Sequence, residues 1–291
     1  MKFALNCFLW LVRILPLPLV RGLGAFIGWL AWFLNIREAK VTAVNLKLCY
    51  PELTDKERST MARQSMQEMG VSGMDMFKVW VMPYHWLAKR ITVKRQDLWE
   101  QYLVDDCGVI CIPPHLGNWE VCSLWCSAQT KITAMYKPPR NKILGDLVLR
   151  QREKFGANLV PTNRRGVLAM VKALQNKEAV GILPDQMPDE EGGEYAPFFG
   201  RTVLTMKLIN SLMAKSGSKA LMLYTLRVPG GYELHFKEPV PEIYDEDLVI
   251  AVGGLNASVE ACVREAPLQY QWEYKRFTRN PNGKTGYYEF K

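Results

Sequence analysis

The stretch GVICIPPHLGNWE, residues 108–120, decides how the rest of the chain is read. Residues 108–112 form a short apolar run of the kind that makes a strand buried on both faces. Pro113 and Pro114 end it, because neither has an N–H to give to a ladder. Asn118 then stands where a helix N-cap belongs, ahead of a segment that reads as helical over residues 118–128. A strand that turns directly into a helix is the repeating unit of parallel sheets.

The same alternation continues outward. Short apolar runs at 131–136, 158–160, 179–183 and 219–228 predict strands, and amphipathic stretches at 142–155, 166–175 and 203–216 predict helices. The expected fold is α/β, a mostly parallel sheet flanked by helices. In such sheets ligands bind beyond the carboxyl ends of the strands, where His115 falls. Upstream, Thr54 and Glu57 form a capping box, and Met61, Met66, Met69, Phe77 and Val81 follow at helical spacing up to Pro83, predicting one long core-packed helix.

The chain has 291 residues, 37 Lys and Arg against 29 Asp and Glu, and a formal charge of +8. The composition excludes a disordered polymer, a collagen-like fibre and a polytopic membrane protein, and the charge favours polyanionic partners. Nucleic acid is not expected, since no zinc finger, RNP signature or recognition helix is present. The seven Cys do not make a disulfide framework. Cys107, Cys111, Cys122 and Cys126 bracket His115 at a spacing that raises zinc, but they lack C-x2-C knuckles, so buried thiols and no metal are expected.

Between Phe3 and Ile36 the only charges are Arg13 and Arg21, and the longest uncharged run is the fifteen residues from 22 to 36. Residues 1–36 are therefore expected to be a hydrophobic membrane anchor, either one tilted helix with a snorkelling Arg or an interfacial segment. A signal peptide cleaved near Gly22 and Gly24, and a buried core helix, are the competing readings. Arg37, Lys40 and Lys47 then place the remainder, residues 37–291, on the cytoplasmic side.

Of three His, only His115 has a chemical context; His85 and His235 read as structural or surface residues. The imidazole sits at a strand-to-helix corner with Glu120 in the first helical turn, so Glu120 is expected to accept a hydrogen bond from one ring nitrogen. The other nitrogen is left to take a proton. No Ser or Cys stands in a nucleophile elbow, which points to direct attack by a bound hydroxyl on an activated acyl group, without a covalent intermediate. The oxyanion formed would need nearby donors, such as backbone N–H groups near Gly117, or positive charge.

Residues 114–120 resemble the H-x4-D/E motif of the lipid A late acyltransferases of Gram-negative bacteria, the lauroyl and myristoyl transferases. Asn45-Leu46 with Cys49-Tyr50-Pro51-Glu52 is similar to that family's N-L-x-x-C-F-P-E block. Tyr136-Lys137-Pro138-Pro139-Arg140-Asn141 is similar to its Y-R/K-P-x-x-N block. Pro184-Asp185-Gln186 and Pro197-Phe198-Phe199-Gly200 resemble its D-Q loop and P-F-F-G turn, and residues 271–277 its Q-W-x-H-R-R-F ending. Tyr274 departs from the usual His there, and Met74-Asp75 from a Glu common in the long helix.

The resemblance implies a glycerolipid-acyltransferase-like fold and a transfer from acyl-acyl carrier protein to a hydroxyl of a Kdo-lipid A precursor at the bacterial inner membrane, without a cofactor. It implies His115 as the base, Glu120 as its orienting partner, and functional roles for Arg152 and Asp185. Asn118, Lys137, Arg140, Arg164 and Arg165, with Lys142, suit a phosphorylated glycolipid acceptor. An acyltransferase acting on a glycerophosphate or a glycosylated phosphoinositide, and a non-catalytic lipid-binding protein, are the alternatives.

Overall fold

The structure, a computed structural model, describes residues 2–136, 142–154 and 156–290. The apolar N-terminus is not one helix. It folds as α1 (Lys2–Ile14) and α2 (Leu17–Phe33), broken at Leu15 and Pro16, because Pro16 and Pro18 lack the N–H groups that a continuous helix would use. No single helix among the described residues is long and apolar enough to cross a membrane.

Three further helices follow: α3 (Arg37–Cys49), α4 (Asp55–Val81) and α5 (Tyr84–Ala88). The capping box opens α4 as expected, with Thr54 accepting from the Glu57 N–H and Glu57 accepting from the Thr54 N–H. α2 lies directly on α4. A Cβ on Gly28 would come within 2.0 Å of the Met66 carbonyl oxygen, and one on Gly24 within 2.6 Å of that of Gly70, so only glycine permits this approach. Gly24 is thus a packing residue.

α4 carries two buried charges that tie down these N-terminal helices. Asp75 accepts from Arg21 Nε at 2.8 Å, from Asn118 Nδ2 at 2.8 Å and from the Tyr232 hydroxyl at 3.1 Å. Lys78 donates to the carbonyls of Val12, Arg13 and Leu15, which a helix end leaves unsatisfied. Arg21 therefore does not snorkel outward. Its guanidinium turns into the protein, where Asp75 and the carbonyls of Val228 and Gly231 hold it.

The body alternates as expected: β1 (Ile91–Lys94), α6 (Gln96–Val104), β2 (Val109–Ile112), α7 (Trp119–Gln129), β3 (Ile132–Tyr136), α8 (Lys142–Lys154), β4 (Asn158–Pro161), α9 (Arg164–Gln175) and β5 (Ala179–Gly181). Then come β6 (Gly193–Phe198), β7 (Arg201–Met206), α10 (Leu208–Ser216), β8 (Lys219–Val228), β9 (Gly231–Lys237), α11 (Leu248–Val263), β10 (Arg279–Asn280) and β11 (Gly283–Lys284). The helix expected over 203–216 begins as strand. Residues 203–206 belong to β7, whose Thr202, Val203 and Thr205 favour a pleated surface and pair with β6 in register Ala196↔Val203.

The main sheet has the order β1-β9-β8-β2-β5-β3-β4. From β8 to β4 every pairing is parallel; the β8–β9 hairpin reverses direction, and β1 runs parallel to β9. Side chains of β2 alternate between two cores, as the two-residue period of a strand requires. Ile110 and Ile112 pack with Met170 and Leu174 of α9 and Leu255 and Val259 of α11. Val109 and Cys111 face Leu98 and Trp99 of α6 and Cys122 and Trp125 of α7. The result is an α/β/α layering with both faces of the sheet covered.

Candidate active site

β2 and β5 are hydrogen-bonded neighbours with Cys111 opposite Gly181. His115 and Asp185 each lie four residues beyond that pair, so the two loops leave the carboxyl edge of the sheet side by side. There the His115 Nδ1 lies 2.7 Å from Asp185 Oδ1, and the His115 backbone N–H donates to Oδ2 at 2.9 Å. Asp185 is buried. Burial alone would raise its pKa, but the charge and hydrogen bonds of His115 outweigh it and hold the carboxyl below the ordinary range. A carboxylate acceptor at Nδ1 leaves Nε2 as the basic ring nitrogen, which accepts from Gln186 Nε2 at 3.2 Å.

The imidazole partner expected from sequence is therefore replaced. Glu120 makes no hydrogen bond to His115; it is buried on the first turn of α7 and faces α4 and α8. It accepts from Trp80 Nε1 at 3.2 Å, and from Nε at 3.1 Å and Nη2 of Arg152 in a two-pronged ion pair. The guanidinium also lies over the Tyr136 ring, 5.7 Å from its centroid. Burial lowers the pKa of Arg152, but the Glu120 charge and hydrogen bonds more than offset this and leave it above its usual value. The reason for the exchange is geometric. Gly117 adopts φ +62° and turns the chain between the two residues, sending the His115 ring toward the β5 loop and the Glu120 carboxylate the other way.

The loop bearing His115 is clamped from three sides. The Gly117 N–H donates to the Gln269 carbonyl, the Asn118 N–H to that of Thr225, and the Gln271 N–H to that of His115. Arg227 Nη1 reaches the Gly117 carbonyl at 2.6 Å. A Cβ on Gly117 would lie 1.9 Å from the Thr225 oxygen, so the clamp and the positive φ both require glycine. The backbone N–H groups near Gly117, an expected oxyanion donor set, are thus already committed. Asn118 does precede α7, but its side chain does not cap the helix; it bonds Asp75 instead.

The C-terminal block is held by residues far upstream. Asn45 Nδ2 donates to the carbonyls of Trp272 and Tyr274, and the Tyr274 hydroxyl accepts from the Met187 N–H in the loop after β5. Gln271 Oε1 accepts from Gln186 at 3.3 Å.

A cavity of about 610 Å³ opens beside the imidazole, within the range of small-molecule sites. Its mouth includes His115, Trp119, Trp80, Tyr136, Arg152 and Gln186. It runs inward between the sheet and α7, where Cys111, Cys122, Cys126, Ile132, Gly181 and Leu223 make an apolar lining. Cys111, Cys122 and Cys126 are buried free thiols, and burial pushes Cys122 up to about 12, so it stays protonated at neutral pH. A second hollow, about 820 Å³, lies at the amino-terminal edge of β8 beside Tyr102, Lys219 and Tyr244, with none of the His115 network in its walls.

The remaining expected residues separate. Arg164 and Arg165 are exposed on the first turn of α9 and do not line the cavity, although Thr162 does. Lys137 and Arg140 lie outside the described residues, as does the Lys142 side chain. His235 stacks on Tyr224 at 4.9 Å, in keeping with its structural reading. Sequence reasoning missed Trp80, and placed Gln271 in the C-terminal block without tying it to His115. Trp80 carries no local signal, since it is one polar handle among residues of α4 that otherwise read as packing.

The chain is 29% identical over 284 residues to the lipid A biosynthesis palmitoleoyltransferase of Escherichia coli (strain K12), covering 96% of this chain and 92% of that protein. It is 26% identical over 278 residues to the lauroyltransferase of the same pathway and organism, covering 94% and 90%. It is 24% identical over 270 residues to the corresponding myristoyltransferase, covering 91% and 81%. The family described as bacterial lipid A biosynthesis acyltransferase matches residues 1–279. With that match spanning sheet, cavity and clamp alike, the chain belongs to the bacterial lipid A biosynthesis acyltransferase family.

Proposed function

We propose that the protein moves a fatty acyl chain from acyl carrier protein to a hydroxyl, borne on an existing acyl chain, of a Kdo-lipid A precursor. The observation that carries this reading is the His115–Asp185 pair at the mouth of an apolar cavity, with Nε2 as the ring nitrogen left for the substrate. His115 Nε2 takes the proton of the acceptor hydroxyl as its oxygen attacks the thioester carbonyl. The C–O bond forms, the tetrahedral intermediate expels the thiolate as the C–S bond breaks, and the imidazolium returns the proton to sulfur. Asp185 orients the ring and stabilises the imidazolium.

Arg152 is the donor for the oxyanion, and Glu120 is a positioning residue that holds its guanidinium at the cavity wall. A thioester-linked chain fits the apolar interior while its carbonyl stays at the polar mouth. The formal charge of +8 suits both an acidic carrier protein and a phosphorylated glycolipid.

In this reading residues 1–36 contact the cytoplasmic face of the inner membrane and residues 37–291 form the transferase domain. Phe3, Trp10, Leu19, Phe26 and Phe33 on α1 and α2 are all more than half exposed, and Phe26, Trp29 and Phe33 form a stacked row, a pattern suited to insertion from one side. The test is purified protein with acyl carrier thioester and the Kdo-lipid A precursor, followed by mass spectrometry. One added acyl chain, lost in His115→Ala, is expected. No product with this acceptor, but acylation of a glycerophosphate, would overturn the acceptor assignment.

A further inference from the structure

The break between α1 and α2 forms a cavity of about 390 Å³ that the acyl-transfer site does not use. Three cations line it: Arg13, Lys78 and Arg90, together with Trp86. Among the described residues no Asp or Glu lines it, and neither Arg13 nor Arg90 makes an ion pair. Arg90 is braced for an inward role: its Nη1 donates to the Trp86 carbonyl at 3.0 Å and its guanidinium lies 4.3 Å over the Trp86 ring. Lys78 is buried and already bonded to three carbonyls at the end of α1, so it contributes charge and leaves donation to the two arginines. Burial, then Arg90, then Arg13 hold its pKa below the usual value, which marks like charges converging without a counterion.

The cavity borders exposed apolar surface of the N-terminal helices. Ile14 is 54% exposed at its wall, and Trp10 and Leu19, on the same two helices α1 and α2, are 63% and 57% exposed. Two arginines without an acid, next to greasy side chains, match a ligand whose phosphate lies just above hydrocarbon.

We propose that this cavity binds the phosphate of an anionic membrane lipid, so that the N-terminal helices read headgroup charge as well as burying apolar surface. The inference rests on the membrane contact proposed above and adds a headgroup site to it. The experiment is flotation of the full-length protein with phosphatidylcholine vesicles and with vesicles of phosphatidylcholine and phosphatidylglycerol. Wild type should prefer the anionic vesicles, and Arg13→Ala/Arg90→Ala should lose roughly 30-fold of that preference, about five-fold per cation. Its binding to the neutral vesicles should stay at the wild-type level. Arg13→Lys/Arg90→Lys should recover part of the loss, and Lys215→Ala/Lys284→Ala, exposed elsewhere, should retain the preference.

A double alanine variant that keeps the full anionic preference overturns the proposal, as does an equal loss in the Lys215/Lys284 control. If inorganic phosphate raises the melting temperature of wild type but not of the double variant, while the vesicles are not distinguished, the pocket serves a soluble phosphate and the lipid assignment falls. Failure of wild type to bind neutral vesicles would instead remove the membrane contact itself.

Discussion

Replacing Asp185 by Asn removes one charge from the His115 pair and leaves its shape nearly intact. Asp185 accepts two hydrogen bonds from the same residue, at 2.7 and 2.9 Å, in a buried position. An amide there presents an NH2 group that favours the wrong imidazole tautomer, and it no longer balances the imidazolium formed on proton uptake. Loss of a charged hydrogen bond accounts for about 1.5–3 kcal/mol, and the wrong tautomer adds to this. At 1.36 kcal/mol per tenfold, kcat should fall by about 10³–10⁴, the scale known for such a substitution in a serine-protease triad. KM for the acyl donor should change little, because Asp185 does not line the cavity. The assay is steady-state transfer with acyl carrier thioester. A kcat within about five-fold of wild type, with a folded protein, would refute the assignment of His115–Asp185 as the proton-handling pair. A pH series separates the roles further. The folded Asp185 pKa lies below its ordinary value of 3.8, so its stabilisation is present above that value and is lost as the pH falls through the lower, folded one. The unfolding free energies of wild type and Asp185→Asn should therefore converge in acid.

Three other perturbations follow from the same geometry. Gly117→Ala places a Cβ against the Thr225 oxygen at a positive φ and should cost about 2–3 kcal/mol in urea unfolding together with transfer activity; a neutral effect would deny the clamp. Arg21→Met or Asp75→Asn alone leaves a buried charge unpaired and should cost about 3–5 kcal/mol, whereas the double variant should cost less than the sum, as chemical denaturation in detergent would read. Gly181 lines the inner cavity, where an added Cβ meets Ile132 at an ordinary 3.5 Å. Gly181→Leu should therefore fold and shift mass-spectrometric product profiles toward shorter acyl chains, and an unchanged profile would place the chain elsewhere.

Much of the sheet was legible because buried parallel strands are written as short apolar runs and their helices as amphipathic ones. β2, β3, β4, β5 and β8 fell where residues 108–228 predict them. β7 was misread because residues 203–216 read as one amphipathic stretch in sequence, and only pairing with β6 separates strand from helix. The N-terminal segment was legible as apolar but not as two helices, since the consequence of Pro16 depends on α4 being there to receive both halves. Arg21 read as a charge seeking water because its partner, Asp75, is fifty-four residues away.

The sequence by itself determined that this is an α/β protein with a mostly parallel sheet, that His115 stands just beyond the end of β2, and that the first 36 residues are largely apolar, with Lys2, Arg13 and Arg21 as their charged side chains. Tertiary structure alone decided that Asp185 faces the imidazole and that Glu120 belongs to Arg152. A motif records spacing along the chain, whereas a hydrogen bond depends on distance in space. Once β2 and β5 are neighbours in register, residues seventy positions apart are closer than residues five apart separated by a turn at Gly117.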